Sequence, residues 1–446
     1  MGPEFVRTDP ASREAYGVDA LKRGHPADIV VLPANTAEVA AIAKLCHETR
    51  TPLVPRGAGT GYTGGSVPVR GGVVLSLERL NRILEIDEGN LLAVVEPNVV
   101  TGELQDAVER VGLFYPPDPA SLRTSVIGGN VAENAGGPRA FKYGVTGRFV
   151  LGLEAVLPTG EIIRTGGKTV KNVVGYDLTH LLVGSEGTLA ILTKVVLRLV
   201  PKPPVQATLR ATFPSVTHAV DAVLRLVRAR VIPAALELVD KDSLDAVAAY
   251  LGGRALAPAG TGALLLIEVD GLSELVAGEA ARVEQACREA GATELLRARD
   301  EAERTELWRV RYELSPALKT IAPVKFNHDV VVPKARIPEL FALLDELKAR
   351  HRVRIPCFGH VGDGNIHVNV MVANEPDEIR RAHEAEEALF RGVVALEGSI
   401  SGEHGIGFAK AKYLGLELAP EAIELMKRIK AAFDPHGILN PGKIFE

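Results

Sequence analysis

The sequence predicts an α+β chain in two folded parts. Three observations lead there. Short β-branched apolar runs alternate with helical patterns through the first half. A proline cluster at Pro201, Pro203 and Pro204 then interrupts the chain. The strand–helix–strand order that follows is poor in glycine. The expected parts are 1–203 and 204–400, with a C-terminal segment 401–446.

Ile29–Leu32 reads as a strand, and Asn35-Thr36 as caps for a helix from Ala37 to about His47. Pro52–Pro55 is a second short strand, followed by a glycine-dense loop and the runs Val73–Leu77 and Leu91–Glu96. Thr101 is expected to cap a helix reaching about Val111. Leu153–Leu157 and Ile162–Arg164 read as a hairpin across Pro158-Thr159-Gly160, and Gly187–Val200 as a long β-rich stretch. Beyond the prolines, Gln206–Phe213 and Ala263–Asp270 read as strands, and Ser215–Ala229 and Ser273–Ala290 as amphipathic helices. Glycine and histidine return together from Cys357 onward, where chemistry is expected.

Composition narrows the function. Of 446 residues 46% are hydrophobic, which excludes a disordered chain. Lys+Arg 51 against Asp+Glu 56 gives a net charge of −5, so nothing favours a nucleic-acid partner. Cys46, Cys287 and Cys357 stand far apart and form no CxxC, which argues against disulfides, a zinc ribbon and a built-in iron–sulfur cluster. No run approaches the ~18 apolar residues of a membrane span, and MGPEFVRTDP lacks the marks of a signal peptide. A cytoplasmic protein is expected, reaching the inner face of a membrane only through a partner.

PRGAGTGYTGGS (55–66) contains G-x-G-x-x-G at Gly59, Gly61 and Gly64. A dinucleotide fingerprint needs a helix opening at the third glycine, and Gly65-Ser66-Val67-Pro68 cannot form one. What remains is a loop whose N–H groups can converge on an anion, with Arg56 adding charge, or else a surface linker. SVIGGNVAENAGG (125–137) offers a second such element at Ser125, Gly128, Gly129 and Asn130. The alternative there is a glycine turn packed for close backbone approach. Two nests would suit a diphosphate.

In CFGHVGDGNIHVNVMV (357–372) strict alternation puts His367, Asn369 and Met371 on one face of a strand. His360 lies seven residues earlier, and the turn Gly362-Asp363-Gly364-Asn365 can bring both imidazoles together. SGEHGIG (401–407) adds Glu403 and His404, which face apart in extended chain. Two imidazoles and a carboxylate suit a divalent metal; buried, satisfied histidines are the competing reading.

These motifs, with PPDPAS (116–121), KNVVGYDLTHLLVGSEGTLAIL (171–192) and DPHGILNPGKIF (434–445), resemble the FAD-linked oxidases of the vanillyl-alcohol oxidase type. Within that type the resemblance is to the glycolate oxidase FAD subunit and to D-lactate and D-2-hydroxyglutarate dehydrogenases, from about His25 to Phe445. It implies a two-part FAD-binding domain, an α+β cap domain with an antiparallel sheet, and a C-terminal segment returning to the FAD site. Flavin would be held by Pro55, Arg56, Gly57, Ala58, Gly59, Thr60, Gly61 and Ser66, with Pro117, Asp118, Ser125, Gly128, Gly129, Asn130 and Gly137. Glu186, Gly187 and Ile191 would line the adenine and ribose side, and Asn440 would join the site. Relatives that tether flavin carry a histidine in the first glycine loop; this loop has none, so non-covalent FAD is implied.

The same resemblance makes His360, His367 and Glu403 ligands of a divalent metal, Zn or Mn, Asn369 a substrate contact and His404 the base. In LWRVRYELSPAL (307–318) it makes Arg311 the carboxylate clamp, with Ser315 one helical turn on; without it, Arg311 reads as part of a solvated helix face. In VKFNHDVVVP (324–333) Lys325 is the available second clamp, while Asn327 stands where several relatives place their lysine. The implied reaction oxidises a small 2-hydroxy acid, such as glycolate or D-lactate, in a homodimer. Electrons leave to an external acceptor: an iron–sulfur subunit, a quinone, a cytochrome or an electron-transfer flavoprotein. A non-catalytic FAD-binding subunit and an ether-lipid synthase-type transferase are the alternatives.

Overall fold

The computed structural model describes residues 1–445, and the chain divides into two compact units. Met1–Gly137, Gly144–Lys202 and the chain from Glu403 onward form the first; Pro138–Tyr143 and Pro203–Gly402 form the second. The division differs from the expected 1–203 and 204–400 chiefly in Pro138–Tyr143. That stretch is fixed by its own side chains: Lys142 Nζ donates to the Asp270 carbonyl (2.7 Å) and Tyr143 Oη to Asp270 Oδ2 (2.7 Å).

In the first unit a four-stranded sheet runs in the order Val6–Arg7, Ile29–Val31, Val73–Ser76, Leu53–Arg56. Its last three strands are parallel, so a crossover must join them, and the helix Thr36–Thr49 provides it. Asn35 caps that helix by accepting from the Glu38 N–H (2.9 Å). Its buried stripe, Val39, Ala43 and Cys46, packs with Leu53, Leu75, Ile438 and Leu439. A five-stranded antiparallel sheet follows, in the order Ile83–Asp87, Leu92–Val95, Ile191–Arg198, Val150–Val156, Ile162–Gly166. Its last pair is the expected hairpin.

Two local readings are corrected, and one strand is added. Ile83–Asp87 is a strand that its acidic residues obscured, since neither face is fully buried. Thr101 is the first residue of the helix Thr101–Glu109 and not its cap; its hydroxyl turns instead to the Ser125 carbonyl (3.1 Å). The stretch from Gly187 becomes a strand only at Ile191, because Glu186 and Gly187 take left-handed φ of 51° and 65°.

The second unit is built on one seven-stranded antiparallel sheet. Its order is Glu294–Arg297, Val205–Phe213, Ala263–Gly271, Ala235–Asp240, Cys357–His360, Asn365–Val372, Val324–Val331. Helices Lys241–Tyr250 and Glu301–Ile321 cover one face, where Leu307, Trp308 and Leu314 pack with Ala235, Val239, Leu264, Leu266 and Phe358. On the opposite pleat Phe326 and His328 meet His383 and Phe390 of the helix Pro376–Ala395 at 4.8 and 5.2 Å.

Two glycines test this backbone. Gly364 has φ +92°, and a Cβ there would stand 2.0 Å from the Val332 carbonyl oxygen. Gly364→Ala should therefore destabilise by about 1–3 kcal/mol through the backbone alone, read as a lowered Tm. Gly278 lies inside the helix Ser273–Glu289 with open space around its Cβ position. Gly278→Ala should raise stability by roughly 0.5–1 kcal/mol. A Tm change of the same sign for both would contradict the assignment.

Candidate active site

Residues directly opposite one another in antiparallel strands point to the same face of a sheet. Glu237 is opposite His360, His360 opposite Asn365, and Phe358 opposite His367. On the far side His367 is opposite Asp329, Asn369 opposite Asn327, and Met371 opposite Lys325. One face of four neighbouring strands thus carries Glu237, both histidines, Asn327, Asn365, Asn369, Asp329 and Lys325. The chain turns tightly between the histidines, with the His360 carbonyl accepting from the Asp363 and Gly364 N–H groups (both 3.2 Å). The imidazoles meet edge to face, centroids 5.2 Å apart, with a nitrogen of each within 4.8 Å of one on the other. Both are buried.

Arg311 enters from the helix Glu301–Ile321. That helix is fixed over the same face by Arg304 Nε and Trp308 Nε1, which donate to Glu268 Oε2 (3.0 and 3.3 Å). Arg311 is not on a solvated face: its side chain is 11% exposed, and the exposed residue is its neighbour Tyr312 at 64%. Its Nε donates to Glu237 Oε2 (2.7 Å), and the guanidinium lies over the Phe358 ring. The other oxygen, Glu237 Oε1, accepts from His360 Nδ1 (2.5 Å). Burial pushes the Glu237 carboxyl up, but the charges of His360 and Arg311 and their hydrogen bonds outweigh it and hold its pKa at about 2.

Glu237 is the residue that sequence reasoning missed. The signal was available: one carboxylate inside the apolar strand ALELV, where an ionised group must have partners.

Asn369 donates through Nδ2 to the Pro356 and His367 carbonyls (3.2 and 3.3 Å). Among the described residues its Oδ1, and that of Asn327 opposite, meet no donor although both atoms are buried. A polar ligand on this face would find two amide acceptors. Lys325 shares the face but lies one pair further from the histidines than Asn327. Gly402 donates its N–H to Asp329 Oδ2 (2.9 Å) and to the Asp329 carbonyl (3.0 Å). Glu403 follows it directly in the chain, about 3.8 Å away at Cα.

In the first unit, the N–H groups of Gly57, Ala58, Gly59, Thr60 and Gly61 meet no acceptor among the described residues. Gly59 takes φ +69°, and a Cβ on Gly61 would meet open space. Beneath the loop Arg56 is buried and its Nη1 donates to Ser66 Oγ (3.1 Å). Pro55 packs beside Gly187, whose Cβ would stand 3.2 Å from its ring. Unpaired donors of this kind fit the diphosphate of a dinucleotide.

The second glycine segment is different. Ser125 Oγ and Asn130 Nδ2 both bond Thr101 Oγ1 (3.2 and 2.7 Å). The Gly128 N–H donates to the Pro97 carbonyl (2.7 Å), and a Cβ there would meet Pro97 at 2.5 Å. The expected donors of Ser125, Gly128 and Asn130 are therefore engaged within the chain. Close backbone approach is the reason for Gly128. Further along, the Pro117 carbonyl accepts from Gln105 Nε2 (2.8 Å), and Gly137 (φ +138°) lies against the Asp118 carbonyl, 2.5 Å from where its Cβ would be.

The Glu186 carboxylate accepts from the Ile406 and Gly407 N–H groups (2.7 and 2.6 Å), so it holds the C-terminal segment. Ile191 is 1% exposed and packs in the core. Asn440 ties the glycine loop down, Nδ2 donating to the Gly65 and Glu186 carbonyls (both 2.8 Å). His404 stacks obliquely on Tyr62, centroids 5.3 Å apart, and Thr63 Oγ1 donates to its carbonyl (3.1 Å). Glu403 Oε2 lies over Gly136, 2.8 Å from where a Cβ would be.

Comparison with known proteins identifies the family. A model of the C-terminal domain of FAD linked oxidases matches residues 202–444, and an FAD binding domain model matches 27–166. The glycolate oxidase subunit GlcD of Bacillus subtilis is 43% identical over 446 residues, covering 100% of this chain and 94% of its own. A D-lactate dehydrogenase of Archaeoglobus fulgidus is 40% identical, covering 93% and 91%. In structure, p-cresol methylhydroxylase superimposes with TM-score 0.82 at 20% identity, covering 100% and 95% of the two chains. The chain belongs to the FAD-linked oxidases, has the fold of the vanillyl-alcohol oxidase type, and is an FAD-dependent oxidoreductase.

The Glu237 ion pair predicts a specific acid response. Its folded pKa, about 2, lies below the ordinary carboxyl value of 4.5, so its stabilising effect is complete above 4.5 and fades as pH falls toward 2. The stability difference between wild type and Glu237→Gln, measured by denaturant unfolding, should shrink over that window. A constant difference from pH 6 to pH 2.5 would contradict the assignment.

Proposed function

We propose that this chain oxidises a D-2-hydroxy acid of the glycolate or D-lactate class to the 2-oxo acid. The observation that carries the reading is the single sheet face on which two buried imidazoles adjoin the Arg311–Glu237 pair. FAD, bound non-covalently, would supply the hydride acceptor, and a divalent ion such as Zn²⁺ or Mn²⁺ would acidify the substrate hydroxyl. The donor set fits such an ion: two buried imidazoles, one already bonded to a carboxylate through its other nitrogen, as ligating histidines usually are. His360, His367 and Glu403 would hold it.

The chain's own groups then divide the work. Arg311 has Nε engaged by Glu237, which leaves its terminal nitrogens to grip the substrate carboxylate. Asn369, whose buried Oδ1 meets no donor among the described residues, would contact the substrate. The His404 imidazole accepts the hydroxyl proton as the Cα hydrogen leaves. Lys325, and Asn327 beside it on the same strand, would bear on the far end of the acid and so on its size. Electrons must leave to an external acceptor. Cys46, Cys287 and Cys357 are all free and buried, which leaves no cysteine set for a second redox centre. Among the described residues no helix is long and apolar enough to cross a membrane, so attachment there would need a partner. The relatives named as glycolate oxidase subunits support such a partner.

A panel of glycolate, D-lactate, D-2-hydroxyglutarate and D-malate with an artificial electron acceptor tests the substrate class. At least one should reduce the flavin under anaerobic conditions; a flavin bleached by none of them would favour a transferase or a non-catalytic subunit. All flavin should leave the chain on acid precipitation, and flavin remaining on the pellet would contradict non-covalent binding.

Arg311→Ala should raise KM strongly and lower kcat as the substrate loses its orientation. The loss of binding is expected at about 2–5 kcal/mol, including the cost of leaving Glu237 half-paired. Kinetics near wild type would remove Arg311 from the site. His360→Ala and Glu403→Gln should keep the yellow colour but lose turnover, and a strong chelator should reproduce the loss until Zn²⁺ or Mn²⁺ is restored. His404→Ala should lose activity and keep metal. A fully active enzyme free of divalent ions on elemental analysis would replace metal assistance by simple base catalysis.

A further inference from the structure

We infer that Glu237 is a positioning residue that sets the reacting ends of His360 and Arg311 together. The inference rests on the proposed roles of those two residues. The strand that carries Glu237, Ala235–Asp240, is buried along its whole length, and Glu237 itself is 0% exposed. An ionised carboxylate in that position is strongly unfavourable unless both oxygens are engaged. Each has its own partner: Oε1 takes His360 Nδ1–H and Oε2 takes Arg311 Nε–H. The strand register, with Glu237 directly opposite His360, makes the first contact inherent in the sheet. The second comes from a helix fixed to the same face through Glu268.

The chemistry of these contacts is directional. A carboxylate only accepts, so His360 must carry a proton on Nδ1; in the neutral ring that a metal ion binds, the lone pair is then on Nε2. That is the tautomer a metal-ligating imidazole needs. Arginine only donates, so engaging Nε fixes the plane of the guanidinium and directs its two terminal nitrogens as a fork. One buried anion therefore sets the tautomer of one residue and the orientation of another. It also gives the two halves of the site a common anchor, so that the ion and the carboxylate clamp cannot move independently.

Glu237→Gln separates this role from mere packing. The amide must turn its oxygen to Arg311, because arginine cannot accept. Its NH₂ then faces His360 Nδ1 and donates to it, which drives the ring proton to Nε2 and blocks that nitrogen as a ligand. The test is a Zn²⁺ titration of chelator-stripped holoenzyme against a chromophoric competitor. Wild type should bind one ion tightly, and Glu237→Gln about 10–100-fold more weakly, with flavin absorbance and far-UV circular dichroism unchanged. Glu237→Asp, which keeps the charge on a shorter arm, should fall between them. In metal-free protein labelled with ¹⁵N-histidine, the His360 signals should change from the Nδ1–H to the Nε2–H pattern in the Gln variant.

Equal Zn²⁺ affinity of wild type and Glu237→Gln would overturn the inference and leave the metal reading standing. Wild type that binds no Zn²⁺ would instead bring down the metal reading, and this inference with it. If the Gln variant does not fold, Glu237→Asp with wild-type affinity overturns the inference equally.

Discussion

The chemistry of the second unit depends on strand register. Glu237, His360, His367 and Asn369 come from three neighbouring strands, and Glu237 lies 123 residues before His360 in the sequence. The antiparallel pairing brings them together, because opposite residues share a face and alternate residues repeat it. A slip of one residue in any of these pairings would send its polar side chains to the opposite pleat, among Phe326, His383 and Phe390. The cost of burying Glu237 without its partners is thus also what holds the register. A slipped strand would leave a carboxylate stranded in an apolar interior.

The first unit solves a different problem. A loop that must present bare N–H groups to an anion cannot satisfy them by its own folding. Gly57 to Gly61 remain open in this way, and their surroundings supply the rigidity they lack. Arg56 lies underneath, Asn440 bonds Gly65, and the Thr63 carbonyl accepts from the Phe408 and Ala409 N–H groups (3.1 and 3.2 Å). The C-terminal segment is therefore part of the flavin-binding unit although it is last in the sequence. Glu186 belongs to the same bracing, since its two carboxylate oxygens receive consecutive N–H groups of that segment.

Much of this was legible in the sequence, and the exceptions share a cause. Periodicity located most strands and helices, and alternation in Ile366–Val372 identified the face that carries His367 and Asn369. Context, more than pattern, excluded a dinucleotide fingerprint at Gly59, Gly61 and Gly64. What sequence could not supply was the partner of each polar group. Ser125, Asn130 and Gly128 looked like donors awaiting an anion, but Thr101 and the Pro97 carbonyl engage them. Arg311 looked solvated by composition, yet a carboxylate 74 residues away in the chain draws it inward. Glu237 passed unnoticed because its one local mark, a carboxylate inside the apolar run ALELV, shows that it needs partners and not which they are.

The most direct test of the whole account is a single anaerobic turnover. Holoenzyme is mixed with the preferred 2-hydroxy acid carrying hydrogen or deuterium at C2, and flavin absorbance is followed by stopped flow. If the hydroxy acid gives its Cα hydrogen to FAD on this site, the flavin bleaches in one phase that deuterium slows several-fold. The phase should disappear after chelation and return with Zn²⁺ or Mn²⁺. Bleaching at the same rate in metal-free enzyme would contradict the role of the histidine face, and no bleaching with any hydroxy acid would contradict the reaction itself.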